Sequence, residues 1–366
     1  MPSKIKPVKK KTAVKRAEWT QPLGHDAWME GLWSAARSDH LPHALLVQGA
    51  AGIGKFTAMK WFAAGLLCDN GPGAPCMSCG ACRRLRANTH PDLLLVDARA
   101  AGMDALTVAF FAERKGAPSG GFQGVSVGEF LSLRSAEGGY RVVLVREAER
   151  MNLNAQNAFL KTLEEPAPGT VLIMETSMPA RLLETIQSRV IVVRAAAPDA
   201  QVARAILEQQ GVETEELDRL VRMAQGSPGR AMELERNSIP AMRDLLIEWA
   251  SGQRGAIATR MAVMELKGKF TGKTPAAEAR DRARCFLDLG LELWRDTGRL
   301  GAGLHPDQLA HGDCLNPLLA YSDTDRSQAL QIWMQVRQDV GLNIGAETLL
   351  DRALLGSSPA PQSKKR

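Results

Sequence analysis

The sequence predicts a parallel α/β domain followed by helical domains. Up to Val193, short apolar runs alternate with stretches of helical apolar spacing, and beyond Ala195 the strand signals end. The chain has 366 residues and is 45% hydrophobic, which is enough for two or three globular domains. We expect a basic disordered tail at 1–16, an α/β domain at 17–195, a small helical lid at 196–236, a further helical domain at 237–355 and a disordered tail at 356–366.

A phosphate-binding loop follows the first predicted strand. Residues 49–55 read G-A-A-G-I-G-K, after the apolar run from His43 to Gln48 and before a helix predicted at 57–67. Glycines in such a loop allow backbone N–H groups to converge on phosphate at a helix N-terminus, and the lysine reaches the outer phosphates. The predicted nucleotide-binding residues are Gly49, Gly52, Gly54 and Lys55.

Both positions that normally hold magnesium beside such a loop are changed. Phe56 stands where the motif has Ser or Thr, and Arg146 stands where Asp would follow the strand from Arg141 to Val145. A guanidinium at this position repels the ion that an aspartate would bind. Glu147 keeps the position of the water-activating carboxylate, but we expect it to have no metal to act with. The sequence therefore predicts no intrinsic ATP hydrolysis and leaves nucleotide binding open.

Four of the six cysteines fall in one short segment that contains Gly and Pro. They are Cys68, Cys76, Cys79 and Cys82, with the spacing C-x7-C-x2-C-x2-C. Thiolates at C-x2-C spacing surround one tetrahedral zinc, and with four ligands no coordination position is left open, so the predicted role is structural. An iron–sulfur cluster would accept the same ligands and ranks below zinc.

The compartment expected for this chain is reducing. The sequence shows no signal peptide and no apolar stretch long enough to span a bilayer, so we expect a cytoplasmic protein without a membrane partner. Disulfides are accordingly the weaker interpretation of the cysteine cluster. Cys285 and Cys314 stand alone and are predicted to be core thiols.

Several motifs together resemble a known family. They are the four-cysteine insert, T-H-P-D at Thr89 to Asp92, N-A-F-L-K-T-L-E-E-P at 157–166 and Ser188-Arg189 before a strand. This combination resembles the clamp-loader subunits of bacterial DNA polymerase III, which are of the AAA+ class, over roughly residues 19–355. The changes at Phe56 and Arg146 are unlike the ATP-hydrolysing gamma/tau subunit and indicate a non-catalytic relative.

The resemblance implies an architecture and a set of partners. The architecture is an AAA+ P-loop domain with a zinc module at 68–82, a helical lid and a C-terminal helical collar that closes a pentameric ring. The implied partners are the gamma/tau and delta subunits in a hetero-pentamer, with the sliding clamp and primed DNA contacted through the complex.

The resemblance also implies a role for Arg189. In this family the arginine of the Ser-Arg pair is a finger that reaches into the ATP site of the adjacent subunit. A guanidinium stabilises the charge that develops on the transferred γ-phosphate, and such a finger accelerates hydrolysis by about 10³ to 10⁵ in related enzymes. The alternative is a surface arginine that caps the helix predicted at 182–187.

Two further positions correspond to the family's nucleotide sensors. Thr176 follows the fourth strand, where a hydroxyl monitors the γ-phosphate in an active site. The second sensor, an arginine in the lid, is replaced by Gly229, with Arg230 one place further on. Together with Phe56 and Arg146, this departure removes a third expected ATP contact.

Three functions follow from these features. The first is a non-catalytic stator of a clamp loader that donates Arg189 to a neighbour. The second is an autonomous P-loop ATPase of the gamma/tau type, with Thr57 and Glu147 binding the metal. The third is a zinc-dependent DNA-binding protein that uses Arg83, Arg84 and Arg86. Phe56 and Arg146 favour the first.

Charge and one insertion complete the prediction. Residues 1–16 hold seven Lys or Arg and no acid, and residues 364–366 add three more; without these ten, the net charge of +6 becomes about −4. A basic arm can contact DNA phosphates, although a solvated tail is the favoured interpretation.

The Gly- and Ala-rich segment 97–124 is predicted to be a mobile insertion, followed by a helix at 125–134.

Overall fold

The chain divides into two compact units. The computed structural model describes residues 19, 21–113, 124–137, 139–212, 214–272, 274–342 and 344–357. The first unit ends at Val202 and the second begins at Ala203. A parallel sheet lies in the first unit and the second is helical, so the predicted fold class is confirmed. Among the described residues, no helix has the length and apolarity needed to cross a membrane.

The sheet of the first unit has five parallel strands in the order β2-β3-β4-β1-β5. These strands are Ala44–Gln48 (β1), Leu93–Val96 (β2), Arg141–Val145 (β3), Thr170–Thr176 (β4) and Ile191–Arg194 (β5). β3 and β4 are buried along their whole length, as expected for near-continuous apolar strands covered on both faces. β1 lies between β4 and β5, with Gln48 opposite both Thr176 and Arg194.

Helices cover both faces of this sheet. They are Asp26–Arg37 (α1), Lys55–Leu66 (α2), Gly80–Arg86 (α3), Val127–Ser132 (α4), Leu153–Glu164 (α5) and Glu184–Gln187 (α6). Successive side chains of a strand point to opposite faces. Val47 accordingly packs in the core that contains Phe62 of α2, whereas Leu46 packs in the core that contains Phe159 of α5.

The segment after β2 differs from the prediction. Leu106, Phe110 and Phe111 are buried in the core on the α5 face, and Leu106 forms a parallel bridge with Met151. The predicted mobile insertion is therefore wrong for residues 97–113, because its apolar side chains belong to the core. Residues 114–123 lie outside the described part. The helix that follows is shorter than 125–134 because a capping box of Ser126 and Glu129 starts it late.

The second unit contains the lid helices together with the C-terminal helices. The helices are Ala200–Gln209 (α7, which begins in the first unit), Thr214–Met223 (α8), Pro228–Arg236 (α9), Ile239–Ala250 (α10), Ala256–Glu265 (α11), Pro275–Gly301 (α12), Asn316–Leu319 (α13), Asp323–Asp339 (α14) and Ala346–Gly356 (α15). Trp249, Phe286 and Trp333 meet in its core, and Gly290 permits this because a Cβ there would lie 1.9 Å from the Trp333 ring.

The chain ends are only partly described. α15 extends through Gly356, and the buried Ser357 hydroxyl accepts a hydrogen bond of 2.8 Å from Trp333 Nε1. The last helix therefore passes the predicted domain boundary after residue 355. Residues 358–366 and the basic residues 1–16 lie outside the described part of the chain.

The loop between the first two cysteines crosses α2 at Gly65. A Cβ on Gly65 would lie 1.9 Å from the Gly73 carbonyl oxygen and 2.6 Å from Trp33 Nε1. Arg37 of α1 holds the same loop, since its Nη1 donates to the Pro72 carbonyl oxygen over 3.1 Å. The cysteine segment is thus packed directly on the first two helices.

We predict that Gly65→Ala destabilises the first unit, by about 1–3 kcal/mol or more, because the added methyl group must displace backbone. Gly31→Ala is the matched control, since a Cβ at Gly31 in α1 meets no atom within 4 Å. The control should stabilise by up to about 1 kcal/mol through helix propensity. Urea unfolding of both variants measures the difference, and equal stability would contradict the close approach.

Candidate functional site

The loop from Gly49 to Lys55 has the shape that its glycines predict. Gly52 and Gly54 have φ of 77° and 93°, in the left-handed region that favours glycine, and Gly54 is the N-cap of α2. A Cβ on Gly49 would lie 2.4 Å from the Ala195 carbonyl oxygen. His25 supports the loop from outside, since its Nε2 lies 2.8 Å from the Ile53 carbonyl oxygen. The turn that would receive phosphate is therefore intact.

Lys55 lies inside this loop and is paired. Its side chain is 4% exposed, and Nζ donates to the carbonyl oxygens of Gly49 at 3.0 Å and Ala50 at 2.8 Å. Nζ also lies 3.2 Å from Oε2 of Glu175, near the end of β4. Glu175 is a site residue that was not predicted from the sequence, although an acid inside the apolar run V-L-I-M-E-T is a usable signal. A bound phosphate would have to replace these oxygens around the lysine.

The two changed magnesium positions contact each other. The Arg146 guanidinium lies over the Phe56 ring, 5.2 Å from its centroid, and Nη1 forms an ion pair of 3.0 Å with Asp97 Oδ2. Magnesium requires octahedral oxygen ligands at about 2.0–2.1 Å. A phenyl ring and a cation provide none, so these residues do not fit the ion.

The two acids that follow β3, Glu147 and Glu149, are engaged by other protein groups. Glu147 has φ of 49°, and its carboxylate is paired with Arg99, at 2.8 and 2.9 Å, and with Arg150. Thr57 is exposed. Glu149 accepts hydrogen bonds from the backbone and hydroxyl of Ser177, at 3.2 and 2.7 Å. Burial by itself raises the pKa of Glu149, and the hydrogen bonds with Ser177 and Thr176 outweigh burial and lower it.

The two sensor positions are occupied by internal contacts. Thr176 is buried, and its hydroxyl oxygen accepts a hydrogen bond of 3.0 Å from the backbone of Met178. Gly229 lies in the first turn of α9. Arg230, one place further on, forms an ion pair of 2.7 Å with Glu292 of α12, within the second unit.

Arg189 lies at the surface after α6. Its Nη1 donates to the Thr185 carbonyl oxygen over 2.9 Å, and its Nη2 lies 2.8 Å from Glu164 Oε1 at the end of α5. The side chain is 37% exposed. The first contact is the helix cap of the alternative interpretation, and the exposure is what a finger requires. The finger role stays a prediction.

The four predicted metal-ligating cysteines come together, with their sulfur atoms within 4.8 Å of one another. Cys68 Sγ lies 3.6 Å from Cys76 Sγ and 3.9 Å from Cys79 Sγ, and the Cys76 to Cys82 distance is 4.0 Å. A tetrahedral zinc with bonds of about 2.3 Å separates its sulfurs by about 3.8 Å. The cluster can therefore hold one metal ion, and its geometry fits zinc.

The local backbone prepares these thiols for metal binding. The backbone N–H groups of Cys79 and Cys82 donate to the sulfurs of Cys76 and Cys79, at 3.4 and 3.3 Å. The Ser78 hydroxyl donates to Cys76 Sγ over 3.5 Å, and together with backbone donors it lowers the pKa of Cys76 to about 6. Burial raises the pKa of Cys68 and Cys82, so the four thiols do not share this shift, and the thiolate is the form that binds zinc.

The T-H-P-D motif ties the cysteine module to the loop before β3. Asp92 accepts hydrogen bonds from Ser135 Oγ at 3.0 Å and from the backbone of Ala136 at 2.9 Å. Glu137 forms an ion pair with Arg84 of α3 at 2.5 Å, and its other carboxylate oxygen lies 3.3 Å from Nε2 of His90, whose pKa is lowered by burial. Arg84 is therefore a structural residue, which weakens the hypothesis of a DNA-binding zinc module.

The parallel sheet, the glycine loop and the helical second unit define a P-loop α/β protein with a helical C-terminal unit. Residues 24–199 match the family described as DNA polymerase III, delta subunit. A DNA polymerase III subunit delta′ of Pseudomonas aeruginosa is 35% identical over 229 residues, covering 60% of this chain and 64% of that protein. The corresponding subunit of Bacillus subtilis is 26% identical over 339 residues, covering 89% and 94%. A subunit tau/gamma of Haemophilus influenzae is 28% identical over 229 residues, covering 61% and 31%.

These similarities confirm the resemblance inferred from the motifs. The curated relatives with higher identity or longer coverage are delta′ subunits, and the tau/gamma relative aligns over less than a third of its own length. The chain is therefore similar to delta′ subunits of DNA polymerase III, over as much as 89% of its length.

We predict that the purified protein contains one zinc ion per chain. Cys76→Ser and Cys82→Ser should lose the metal and unfold at lower temperature, because each removes one of four ligands. Cys314→Ser is the control, since Cys314 lies in the second unit and should keep full zinc content. Elemental analysis with thermal unfolding tests this, and zinc retained by the Cys82 variant would contradict the assignment.

The Glu292 contact in the second unit predicts a pH dependence of stability. Burial by itself raises the pKa of Glu292, but its hydrogen bond with His311, at 3.4 Å, and the charge of Arg230 hold it below its usual range. A depressed pKa contributes stability above the unfolded value of about 4.3, and this contribution is lost as pH falls through the folded pKa. Glu292→Gln should therefore be less stable at pH 7, with the deficit shrinking below about pH 4.

Urea unfolding across pH measures this deficit. Glu265→Gln, at an exposed acid that ends α11, is the control and should show no such deficit at neutral pH. A deficit for the Glu292 variant that persists unchanged in acid would contradict the role of its charge.

Proposed function

We propose that this chain is the non-catalytic stator subunit of the DNA polymerase III clamp loader. It supports ATP-dependent loading of the sliding clamp on primed DNA by the gamma/tau and delta subunits, within a cytoplasmic hetero-pentamer. The observation that carries this proposal is the contact between Arg146 and Phe56, because both residues replace magnesium ligands. The similarity to delta′ and tau/gamma subunits supports the choice of complex.

The absence of intrinsic hydrolysis follows from the same region. Phosphoryl transfer by P-loop enzymes depends on a metal that bridges the phosphates and on a residue that positions the attacking water. Here Arg146 repels the metal, and the Glu147 carboxylate is held by Arg99 and Arg150. The chain alone is accordingly expected to turn over no ATP.

Arg189 is the residue proposed to act on a neighbouring subunit. Its guanidinium is partly exposed and held by Glu164 and the Thr185 carbonyl oxygen. Both are surface contacts, and an exposed ion pair contributes only about 0–1 kcal/mol. Arg189 can therefore leave Glu164 and bind a phosphate on a neighbouring subunit at a small cost in free energy.

The alternative function is an autonomous ATPase of the gamma/tau type. It requires Thr57 and Glu147 to bind magnesium, and the pairing of Glu147 with two arginines argues against this. Magnesium-dependent turnover by the isolated chain would establish the alternative.

We predict that Arg189→Ala lowers ATP hydrolysis in a complex reconstituted with gamma/tau, delta, clamp and primed DNA. Hydrolysis at the one ATP site that Arg189 completes should slow by about 10³-fold or more. The total rate of the complex should then fall by the contribution of that site. Arg181→Ala, at an exposed arginine shortly before α6, is the matched control and should leave the rate unchanged.

Assembly of each variant complex is checked by size-exclusion chromatography before steady-state hydrolysis is measured. A normal rate for Arg189→Ala in a fully assembled complex would eliminate the finger role. Turnover by the wild-type chain alone would eliminate the stator.

A further inference from the structure

The candidate nucleotide site has an intact phosphate half and an altered metal half. The glycine turn and Lys55 keep the geometry that receives phosphate. Both residues that would hold magnesium are replaced, and the replacements contact each other. A site that was only decaying would not be expected to place a new cation where the old cation was held.

Arg146 is fixed in this position from two sides. The Phe56 ring lies beneath the guanidinium, and Asp97 holds Nη1 at 3.0 Å. Asp97 is itself fixed, because its other carboxylate oxygen accepts hydrogen bonds from the backbone of Arg99 at 2.9 Å and Ala100 at 3.2 Å. Phe56 directly follows Lys55, so the guanidinium lies beside the first turn of α2.

The ion pairs around the loop carry a small positive charge without any metal; Glu149, which is hydrogen-bonded to Ser177, is not part of them. Four cations and three carboxylates form linked ion pairs, which leaves a net charge of +1. The cations are Lys55, Arg99, Arg146 and Arg150, and the carboxylates are Asp97, Glu147 and Glu175. Each of these carboxylates is already paired with a cation, so an added magnesium ion would have to displace one.

We propose that Arg146 takes the place of magnesium, so that the loop binds a nucleoside diphosphate without a divalent metal. A guanidinium presents several N–H donors in a plane and can bind two phosphate oxygens at once. In active relatives of this fold, a hydrated metal ion bridges the phosphate oxygens instead. On binding, Lys55 exchanges the carbonyl oxygens of Gly49 and Ala50 and the carboxylate of Glu175 for phosphate oxygens. This inference goes beyond the proposed stator role and does not depend on Arg189.

The first test compares two conditions for one protein. Binding of a fluorescent ADP to the intact chain is titrated in EDTA and again in excess magnesium. We expect saturable binding in EDTA that magnesium leaves unchanged or weakens. No binding in EDTA, or binding that requires magnesium, would overturn the proposal.

The second test uses substitutions in the same titration. Arg146→Gln should weaken metal-free binding by about tenfold to a hundredfold, the usual effect of losing a hydrogen bond to a charged group. Arg86→Gln, at an exposed arginine of α3, is the matched control. Phe56→Thr combined with Arg146→Asp restores both metal ligands and should make binding depend on magnesium. Equal affinity of wild type and Arg146→Gln would overturn the proposal even if the double variant fails to fold.

These titrations use the chain alone and measure binding. The test of Arg189 uses the assembled complex and measures turnover. Failure of metal-free binding would therefore not contradict the stator proposal. A normal hydrolysis rate for the Arg189→Ala complex would likewise not contradict the binding result.

Discussion

The pairing of β1 between β4 and β5 determines where every candidate nucleotide contact in the first unit lies. Parallel strands bring their carboxyl ends to one edge of a sheet, and ligands of open α/β sheets bind at that edge. β1 ends at the glycine loop, β3 ends just before Arg146, and β4 ends just after Glu175. Three segments more than 25 residues apart in sequence thus meet around Lys55 and Phe56.

Within this arrangement, the substitutions at Phe56 and Arg146 are understandable as a pair. An isolated arginine beside the loop would leave a cation without a partner, and an isolated phenylalanine would expose an apolar ring where a hydroxyl was expected. Together they form a cation–π contact, worth about 0.5–1 kcal/mol when exposed and more when desolvated. Asp97 adds an ion pair to the same guanidinium. The two residues that replace the magnesium ligands therefore stabilise each other's positions in the fold.

The sequence predicted those parts of the protein that depend on local spacing. The glycine loop, the clustering of Cys68 with its three partners and the change from α/β to helical structure all depend on short-range patterns, and the structure agrees with them. The contacts that sequence could not show are long-range ones. Glu175 meets Lys55 from 120 residues away, and no periodicity encodes such a contact.

The prediction for the segment after β2 was wrong for a different reason. Its Gly and Ala content indicated a mobile loop, but Phe110 and Phe111 supply enough apolar area to hold it in the core. Composition averaged over a window conceals a few large side chains that dominate the burial energy. The short capped helix that begins after Ser126 then restores the predicted order of elements.

Two kinds of contact, ion pairs and apolar packing, join the lid helices to the C-terminal helices within the second unit. Three lid arginines pair with acids of the C-terminal part of the unit: Arg219 with Asp244 of α10, Arg222 with Asp313 in the turn before α13, and Arg230 with Glu292 of α12. Exposed ion pairs of this kind contribute about 0–1 kcal/mol each, whereas burial of one large apolar side chain contributes about 1.5–3 kcal/mol. Met223 is 1% exposed in the C-terminal core, and Leu234 packs against the same core.

Apolar packing therefore holds the lid on the C-terminal helices, and the ion pairs select its orientation. This gives the shift from position 229 to Arg230 a physical meaning. One residue along a helix turns a side chain by about 100°. Arg230, beside the predicted sensor position 229, is engaged by Glu292 within its own unit.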